Sequence, residues 1–348
     1  MSHDAAMDLM LAEINRRSAP MLWCCDEQWG GDSLAQSAVP LHVLSHRCDT
    51  ASALNEQSLK VELGDYDFEA LDFHFETVAY RISKEKALVH HIIKQSLKRL
   101  PVGGELLLSG FKNEGFKTYV DKARALVGAP KQISKGRGGA MLARIKKQFE
   151  PAQSDIDALK DDDYTQCRKI AVNGFEFYSK PGVYGWQKVD RGSALLIDAV
   201  AQGERDSAPA QVLDLGCGYG YLTLAGARLW PSARWVSTDN NAAAINACSE
   251  NMKQYAIAGE CLLADCAQGI DEQFDWVLCN PPFHRGFDHD QSLTRTFIRT
   301  AAQRLQPKGC AWFVVNQFIA LPAIAADYFS SVELKAEADG YRIFRLSN

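Results

Sequence analysis

The sequence predicts an α/β protein with two tandem units, each a mostly parallel sheet covered by helices on both faces. Its 348 residues suffice for two domains that each bury a core. From residue 211 onward, apolar strand candidates alternate with helix candidates, as in parallel sheets joined by crossover helices. The first half shows the same alternation more faintly. A content of 47% hydrophobic and 23% charged residues excludes a largely disordered chain.

The second half carries the clearer elements. Predicted strands span 211–215, 234–239, 260–264, 276–279, 311–315, 331–336 and 341–346. Predicted helices span 191–200, 242–255 and 292–304. Ahead of them, alternating apolar positions around Asn173-Gly174 predict a β-hairpin over 169–178, because this dipeptide suits a two-residue turn. The polar, acidic stretch 151–164 is predicted to be a linker between a first domain, 1–150, and a second, 165–348.

Local similarity between the halves indicates a duplicated domain. Residues 75–79 (FETVA) match 274–278 (FDWVL), and a predicted helix follows each. Those helices run into 98–104 (KRLPVGG) and 303–309 (QRLQPKG), with a short insertion in the second copy. A period of about 200 residues is too long for a solenoid repeat and fits duplication of a whole domain.

The N-terminus and the cysteines favour a cytoplasmic protein. No basic start followed by an apolar run indicates a secretory signal, and no stretch approaches about 18 uncharged apolar residues. The ten cysteines include no Cys-x-x-Cys pair, and no histidine cluster has zinc-ligand spacing. We therefore expect reduced, buried thiols, no metal and no membrane association.

A glycine-rich loop follows the predicted strand 211–215. Its sequence, 214–220 (DLGCGYG), places the third glycine one residue earlier than a dinucleotide fingerprint does. Asp214 would repel a pyrophosphate, but it suits a ligand with a cationic end, such as the amino acid moiety of S-adenosylmethionine. The loop residues predicted to bind the cofactor are Asp214, Gly216, Cys217, Gly218 and Gly220.

Two further carboxylates follow successive predicted strands. Asp239, with Asn240 beside it, ends the second strand, where a carboxylate can accept both ribose hydroxyls of an adenosine. Asp265 follows the third strand, where a short acid can accept from the adenine amino group. Each acid alone is ordinary at a strand end, but three after successive strands predict a nucleoside site.

The tetrapeptide Asn280-Pro281-Pro282-Phe283 follows the fourth strand and is predicted to be catalytic. Two prolines keep the backbone extended, so the Asn280 side chain and a nearby carbonyl have fixed directions. Together they can accept two hydrogens from an amino group on a planar ring, and Phe283 can stack on that ring. Asn280 is also expected to line the cofactor site. His284 is expected to be an exposed loop residue, and no dedicated general base is evident.

These motifs resemble those of class I S-adenosylmethionine-dependent methyltransferases that modify exocyclic amino groups. Across both halves, including 181–184 (PGVY), the chain resembles the ribosomal RNA guanine-N2 methyltransferases, nearest to the small-subunit branch and next to the large-subunit branch. The resemblance implies two Rossmann-like domains with seven-stranded sheets, of which only the second keeps cofactor and catalytic motifs. In the first half, Arg81 stands where Asn280 stands in the second, and 26–31 (DEQWGG) lacks alternating glycines. The first domain is therefore expected to be degenerate and inactive.

The resemblance also implies a reaction. The guanine N2 would attack the methyl group on the sulfonium of S-adenosylmethionine in an in-line displacement of the sulfur, and Asn280 with the Pro281 carbonyl would hold the amine. The guanine, most specifically one in 16S ribosomal RNA, would be unpaired or flipped out of its helix. Residues Lys188, Asp190, Arg191 and Gly192 resemble the segment that closes over the methionine end of the cofactor.

The charge distribution favours a nucleic-acid partner despite the total of −5. Residues 81–147 contain sixteen basic and four acidic residues, a net of +12, whereas the rest of the chain carries −17. Such a segment in an acidic chain predicts a phosphate-contacting surface on the first domain. The residues predicted to bind RNA are Lys135, Arg137, Arg144, Lys146 and Lys147. The expected partner is ribosomal RNA or the small ribosomal subunit, bound by a monomer.

Four other functions stay open at this point. A 23S ribosomal RNA guanine-N2 methyltransferase would carry the same motifs. A protein glutamine-N5 methyltransferase also uses Asn-Pro-Pro with an aromatic, more often tyrosine, and would leave the basic domain without a role. Adenine N6 in nucleic acid is a further acceptor that the tetrapeptide allows. A non-catalytic RNA-binding assembly factor would not need Asp214, Gly216, Gly218, Asp239 and Asn280 intact.

Overall fold

The computed structural model describes residues 4–205, 207–282 and 287–348, and for 287–291 the backbone alone. The chain divides into two compact units, Met1–Gln166 and Cys167–Asn348. Among the described helices, none is both long and apolar enough to cross a membrane.

The first unit alternates strands and helices. Its elements are α1 (Ala5–Asn15), β1 (Met21–Cys25), β2 (Leu41–Ser45), α2 (Cys48–Asn55), β3 (Lys60–Leu63), β4 (Thr77–Arg81), α3 (Lys86–Arg99), β5 (Glu105–Gly110), α4 (Phe116–Leu126), β6 (Gln132–Lys135), β7 (Met141–Lys146) and α5 (Gln153–Asp157). A short 3-10 helix, Lys112–Glu114, precedes α4, and another, Arg137–Gly139, precedes β7.

The second unit begins with a hairpin and then repeats the alternation. Its elements are β8 (Arg168–Val172), β9 (Phe175–Ser179), α6 (Arg191–Gly203), β10 (Gln211–Leu215), α7 (Tyr221–Leu229), β11 (Arg234–Asp239), α8 (Ala242–Gln254), β12 (Gly259–Leu263), β13 (Phe274–Cys279), α9 (Phe287–Arg304), β14 (Leu305–Asn316), α10 (Leu321–Ala325), β15 (Ser331–Ala338) and β16 (Tyr341–Ser347). The predicted hairpin is confirmed, and both turn residues, Asn173 and Gly174, have positive φ.

Within the described residues, each unit contains one seven-stranded sheet with the same topology. The strand orders are β3-β2-β1-β4-β5-β7-β6 and β12-β11-β10-β13-β14-β16-β15. In each sheet five strands are parallel, and the last pairings, through β7 and β16, are antiparallel. The registers also correspond: Met21 pairs with Leu41 and Thr77 as Val212 pairs with Trp235 and Trp276. The predicted fold class is confirmed.

The strands of the second unit alternate their side chains between two cores. Leu213 and Val277 pack with α9 residues on one face of the sheet. Val212 and Leu278 pack with α6 residues on the other. Helices are needed on both faces because both faces of these strands are apolar.

The matching glycines of the two halves have one structural cause. A Cβ on Gly104 would lie 3.0 Å from the carbonyl oxygen of Glu76, and one on Gly309 would lie 2.7 Å from that of Asp275. Each glycine therefore lets the chain pass closely against the start of the neighbouring strand. The similarity seen in the sequence thus corresponds to the same backbone approach in both units.

The segment 151–164 differs from the predicted linker. It contains α5 and contributes Ile156, Leu159 and Tyr164 to the core of the first unit. The Tyr164 hydroxyl donates a hydrogen bond of 2.8 Å to Asp65. The acidic composition of the segment made these spaced apolar residues difficult to recognise in the sequence. Because they pack into the core of the first unit, the segment is held against that unit.

Candidate active site and nucleic-acid surface

The glycine loop of the second unit is anchored to the end of β11. The backbone N–H groups of Gly216 and Cys217 both donate to the carbonyl oxygen of Thr238, at 2.8 Å. Gly216, Gly218 and Gly220 all have positive φ, and a Cβ on Gly218 would meet nothing within 4 Å. The loop therefore presents bare backbone beside open space at the carboxyl edge of the sheet, where a ligand can approach closely.

Asp214 lies beneath this loop and is fully buried. One of its oxygens, Oδ2, accepts from the Thr223 N–H at 3.1 Å and from the Thr223 hydroxyl at 2.7 Å, which ties β10 to the first turn of α7. The other, Oδ1, has no hydrogen-bond partner among the described residues. Burial raises the pKa of this carboxyl to about 7, so its negative charge is only partly present near neutral pH.

Asp239 connects the loop to the next helix. Its Oδ2 accepts from the Gly218 N–H at 2.9 Å, and its Oδ1 accepts from the Asn241 N–H at 3.0 Å. A carboxylate at this strand end can accept from the hydroxyls of a ribose. Asn240 is half-buried beside it.

Asp265 begins a 3-10 helix, Asp265–Ala267, after β12 and is half-buried. The neighbouring Ala264 N–H donates to the carbonyl oxygen of Asp239 at 3.0 Å, so the two predicted acids follow adjacent, connected strand ends.

Cys217 is placed differently from its neighbours. Its side chain is 7% exposed and belongs to the core on the α6 face of the sheet. Burial raises the pKa of the thiol to about 12. Only the backbone of Cys217 is therefore available to a ligand in the loop.

Asn280 follows β13 at the same edge, since β10 and β13 are parallel neighbours. Its side-chain Nδ2 donates to Asp190 Oδ2 and to Ser193 Oγ, both at 2.8 Å. These bonds consume both amide hydrogens. No described residue donates to Asn280 Oδ1, which is left as the acceptor of this side chain.

The remaining residues of the tetrapeptide are only partly described. Pro281 is buried and Pro282 is exposed. Phe283 and His284 lie outside the described residues, so the stacking assigned to Phe283 stays a prediction. Of the segment expected over the methionine end, Asp190 contacts Asn280, whereas the exposed Arg191 pairs with Asp339 at 2.6 Å.

These groups fit the cofactor expected from the sequence. The open cradle at Gly218 can receive a ligand's polar chain, and the unpartnered Oδ1 of Asp214 gives the floor of the loop a negative or acceptor character. Asp239 supplies acceptors for a ribose, and Asn280 offers a carbonyl to an amine. Among the described residues, no group of three or more His, Cys, Asp or Glu side chains could hold a metal ion.

The first unit has a different constellation at the corresponding edge. Arg81 is 2% exposed and forms ion pairs with Asp4 at 2.9 Å and Glu114 at 2.7 Å. Its guanidinium also donates to the carbonyl of Ile82 and stands 5.2 Å over the Phe111 ring. A guanidinium cannot accept a hydrogen bond, so this position cannot hold an amine as Asn280 can.

The five predicted RNA-binding residues have different environments. Lys135, Arg137 and Lys146 are exposed, with no carboxylate within 4 Å among the described residues. Arg144 pairs with Glu13 and Glu105, which offset its charge. Lys147 contradicts the prediction: it is 1% exposed, and its ammonium donates to the carbonyls of Leu97 and Leu100 and pairs with Glu150.

Six of the exposed cations of the first unit lie at the carboxyl edge of its sheet. They lie at or just after the carboxyl ends of β4, β5 and β6. Lys135, the last residue of β6, pairs with Met141 of β7, and Met141 also pairs with Gly110, the last residue of β5. Lys135 therefore lies at the same edge as the residues that follow β5. We call this set the carboxyl-edge cluster; its members are Lys84, Lys86, Lys112, Lys117, Lys135 and Arg137. Lys98 and Lys146 are equally exposed but lie at the opposite edge, beside the start of β5.

Two residues of the site were not anticipated from the sequence. Ser193 bonds Asn280, and Thr223 holds Asp214. Asp190 is the N-cap of α6 and accepts from the Ser193 N–H, so an Asp-x-x-Ser pattern at a helix start was the available signal. That pattern alone predicts a helix cap and not a contact with a strand ninety residues away.

Comparisons with known proteins agree with this geometry. Residues 174–345 match the family model "Methyltransferase small domain". The chain is 30% identical over 264 residues to "Ribosomal RNA small subunit methyltransferase C" of Pseudomonas aeruginosa (strain LESB58), covering 76% of each protein. The protein of the same name from Escherichia coli O17:K52:H18 is 27% identical over 269 residues, covering 77% of this chain and 74% of the relative.

A solved structure shares the fold over the whole chain. It is described as "T. Thermophilus 16S rRNA N2 G1207 methyltransferase (RsmC) in complex with AdoMet and Guanosine". The two superpose with a TM-score of 0.81 at 24% identity, covering 100% of this chain and 92% of the other. Since a relative 30% identical to the chain is matched over 76% of both proteins, the chain belongs to the ribosomal RNA small subunit methyltransferase C family of S-adenosylmethionine-dependent methyltransferases.

Proposed function

We propose that this protein transfers a methyl group from S-adenosylmethionine to the exocyclic N2 amine of a guanine in 16S ribosomal RNA. The observation that carries the proposal is the acceptor at Asn280, which stands next to the glycine loop with both of its own hydrogens already used. The relatives' names supply the RNA, and the solved T. Thermophilus relative supplies the guanine to test first, G1207.

The residues of the second unit divide the work of binding and orientation. S-adenosylmethionine supplies an already activated methyl group, so the protein has mainly to position the acceptor. Asp239 and Asp265 would hold the nucleoside part, and the loop around Gly218 with Asp214 beneath it would hold the amino acid part. Asn280 Oδ1 would accept one N2 hydrogen, the Pro281 carbonyl the other, and Phe283 would stack on the base.

The direct experiment is methyl transfer from labelled cofactor to separated ribosomal RNAs, followed by nucleoside analysis. We expect label in N2-methylguanosine of 16S RNA, and a loss of about 100-fold or more in Asn280→Ala with cofactor binding retained. Label in 23S RNA, in N6-methyladenosine or in protein would overturn the proposed acceptor. A protein that binds RNA and transfers no methyl group would be an assembly factor instead.

We further propose that the first unit binds the RNA through the carboxyl-edge cluster. Six exposed cations share one edge of its sheet, while Arg81 and Glu114 neutralise each other there. Arg144 and Lys147 are satisfied within the unit and are excluded from this surface. Binding to ribosomal RNA would place the protein in the cytoplasm with the ribosome. We expect it to act there as a monomer.

A matched pair of double variants tests the surface. Lys135→Gln/Arg137→Gln removes two charges from the cluster, and Lys98→Gln/Lys146→Gln removes two from the opposite edge. We expect the first pair to weaken binding to 16S RNA and to lower the salt-dependence slope by about one for each phosphate that is no longer neutralised. Equal effects of both pairs on RNA affinity, measured by fluorescence anisotropy at several salt concentrations, would contradict the assignment.

A further inference from the structure

We propose that Asp190 and Ser193 are positioning residues for methyl transfer, which orient the Asn280 amide so that its carbonyl faces the substrate amine. The inference rests on the proposed function and deepens it. It concerns residues that touch neither the reacting nitrogen nor the methyl group, and that act through Asn280.

An asparagine side chain presents an oxygen and an NH2 group of nearly the same shape. If the amide turned over, Asn280 would offer donors to an amine that itself needs acceptors, and binding would fail. At this site the turned-over amide would place Oδ1 against Asp190 Oδ2, two acceptors 2.8 Å apart. That arrangement is repulsive, so the carboxylate selects one of the two orientations.

The two acceptors fix the plane of the amide as well as its direction. Asp190 Oδ2 and Ser193 Oγ each lie 2.8 Å from Asn280 Nδ2, which matches its two hydrogens. With both hydrogens held, rotation about the last side-chain bond would break at least one bond. Preorganised groups of this kind lower the reorganisation needed in the transition state.

The acceptors are themselves held by the fold. Asp190 is the N-cap of α6, and its Oδ2 also accepts from the Ser193 N–H at 2.9 Å. Between them, Gly192 is buried, and a Cβ there would meet the Tyr341 ring at 2.9 Å and Asp190 Oδ2 at 3.1 Å. The start of α6 is therefore packed against β16 and cannot shift away from Asn280 without cost.

The test begins with two substitutions at Asp190. Asp190→Ser keeps a good helix cap but is too short to reach Asn280, whereas Asp190→Asn keeps both the cap and an acceptor of the same length. We expect Asp190→Ser to lower kcat by about 100-fold, a larger factor than any rise in the cofactor Kd, and Asp190→Asn to retain most of the activity. An unchanged kcat in Asp190→Ser, or an equal loss in both variants, would overturn the proposal.

An exchange of the two side chains separates positioning from mere support of the fold. Asn280→Asp places two carboxylates in contact and is expected to abolish transfer. Adding Asp190→Asn lets the new amide turn its NH2 group toward the introduced carboxylate, at the cost of the cap bond from the Ser193 N–H, and leaves the second oxygen of that carboxylate as an acceptor. We expect the double variant to recover at least about tenfold over Asn280→Asp alone, whereas a purely structural role predicts additive losses.

A measurement without substrate keeps the two proposals distinguishable. The side-chain NH2 signals of Asn280, identified by their loss in Asn280→Ala, should be protected from solvent exchange in the wild-type protein and unprotected in Asp190→Ser. Wild-type protein with protected signals and no transfer to 16S RNA would contradict the proposed function alone. Wild-type transfer with unprotected signals would contradict the positioning role alone.

Discussion

The two units have one fold and two different edges. Their strand orders and registers coincide, so each position of one sheet has a counterpart in the other. The counterparts of the second unit's site residues lack the same chemistry. Asp214, Gly216, Asp239 and Asn280 correspond to Trp23, Cys25, Ser45 and Arg81. The two units thus share the apolar pattern that maintains the sheet and differ at a few strand-end residues, among them those proposed to bind a nucleoside.

The edge of the first unit is closed by its own side chains. Arg81 joins Asp4 at the start of α1 to Glu114 after β5. Asp65 matches Asp265 in register, yet it accepts a hydrogen bond from Tyr164 of the segment after β7. The polar side chains at this edge of the first unit therefore pair with one another.

The largest expected effect comes from moving the first unit's residue into the second. Asn280→Arg substitutes a group that only donates, and we expect methyl transfer to fall by about 100- to 1,000-fold. Cofactor affinity, measured by calorimetry, should fall by a much smaller factor than the transfer rate because the glycine loop is intact. Transfer within about twofold of the wild-type rate would show that the acceptor at this position is dispensable.

The reverse substitution, Arg81→Asn, should damage the first unit without creating activity. It leaves Asp4 and Glu114 without their partner, and we expect a loss of about 3 kcal/mol in the free energy of unfolding. Urea unfolding of the full chain measures it. The exposed Arg137→Asn serves as the control and should cost less than about 0.5 kcal/mol. Similar losses in both variants would refute the structural role of the Arg81 pairs.

A smaller effect is expected at the ribose position. Asp239→Ser introduces the residue that stands at Ser45 and removes the bonds to the Gly218 and Asn241 N–H groups. We expect the cofactor Kd to rise by about 10- to 100-fold. Glu260→Ser, an exposed acid on β12 away from the strand end, is the control. If calorimetry gave the same cofactor Kd for both variants, Asp239 would not be part of the cofactor site.

The smallest expected effect is a pH dependence of stability in the absence of cofactor. Asp214 has its pKa raised to about 7, above the usual value of an unfolded aspartate. The folded unit holds this proton more tightly, so its free energy of unfolding should fall by about 1 kcal/mol between about pH 6 and pH 8. Asp214→Asn should remove that fall. Asp26 of the first unit, whose pKa is also raised to about 7, is the matched control. Asp26→Asn should leave unchanged the part of the pH dependence of stability that Asp214 causes.

Much of the fold followed from local pattern. The predicted strand 211–215 coincides with β10, and 276–279 lies within β13, because short continuous apolar runs bounded by glycine or proline are local signals of buried strands. The nearness of Asp239 to the glycine loop also followed, since parallel strands end at one edge. Lys147 could not be assigned correctly, because only the packed structure shows that its ammonium caps the end of α3.

The part of the site that could not be predicted from the sequence, the contacts of Asn280, also depends on the packed structure. The contact of Asn280 with Asp190 and Ser193 joins the end of β13 to the start of α6, and no local pattern encodes that distance. The helix cap by itself explains an aspartate at position 190. The sequence therefore offers no reason to expect that the same side chain also accepts a hydrogen bond from Asn280. Long-range polar contacts of this kind emerge only when the layers of the fold are assembled.

The fully occupied NH2 group of Asn280 has a consequence for substrate choice. Because the side chain presents an oxygen and no hydrogen, it works as a polarity filter. Guanine, adenine and cytosine carry an amino group that this oxygen can bind, whereas uracil and hypoxanthine would set a carbonyl or a bare C–H against it. Inosine at the modified position should therefore not bind productively, because its base offers no amino hydrogen to this oxygen. Selection among the three bases that carry an amino group must come from the shape of the site around the base.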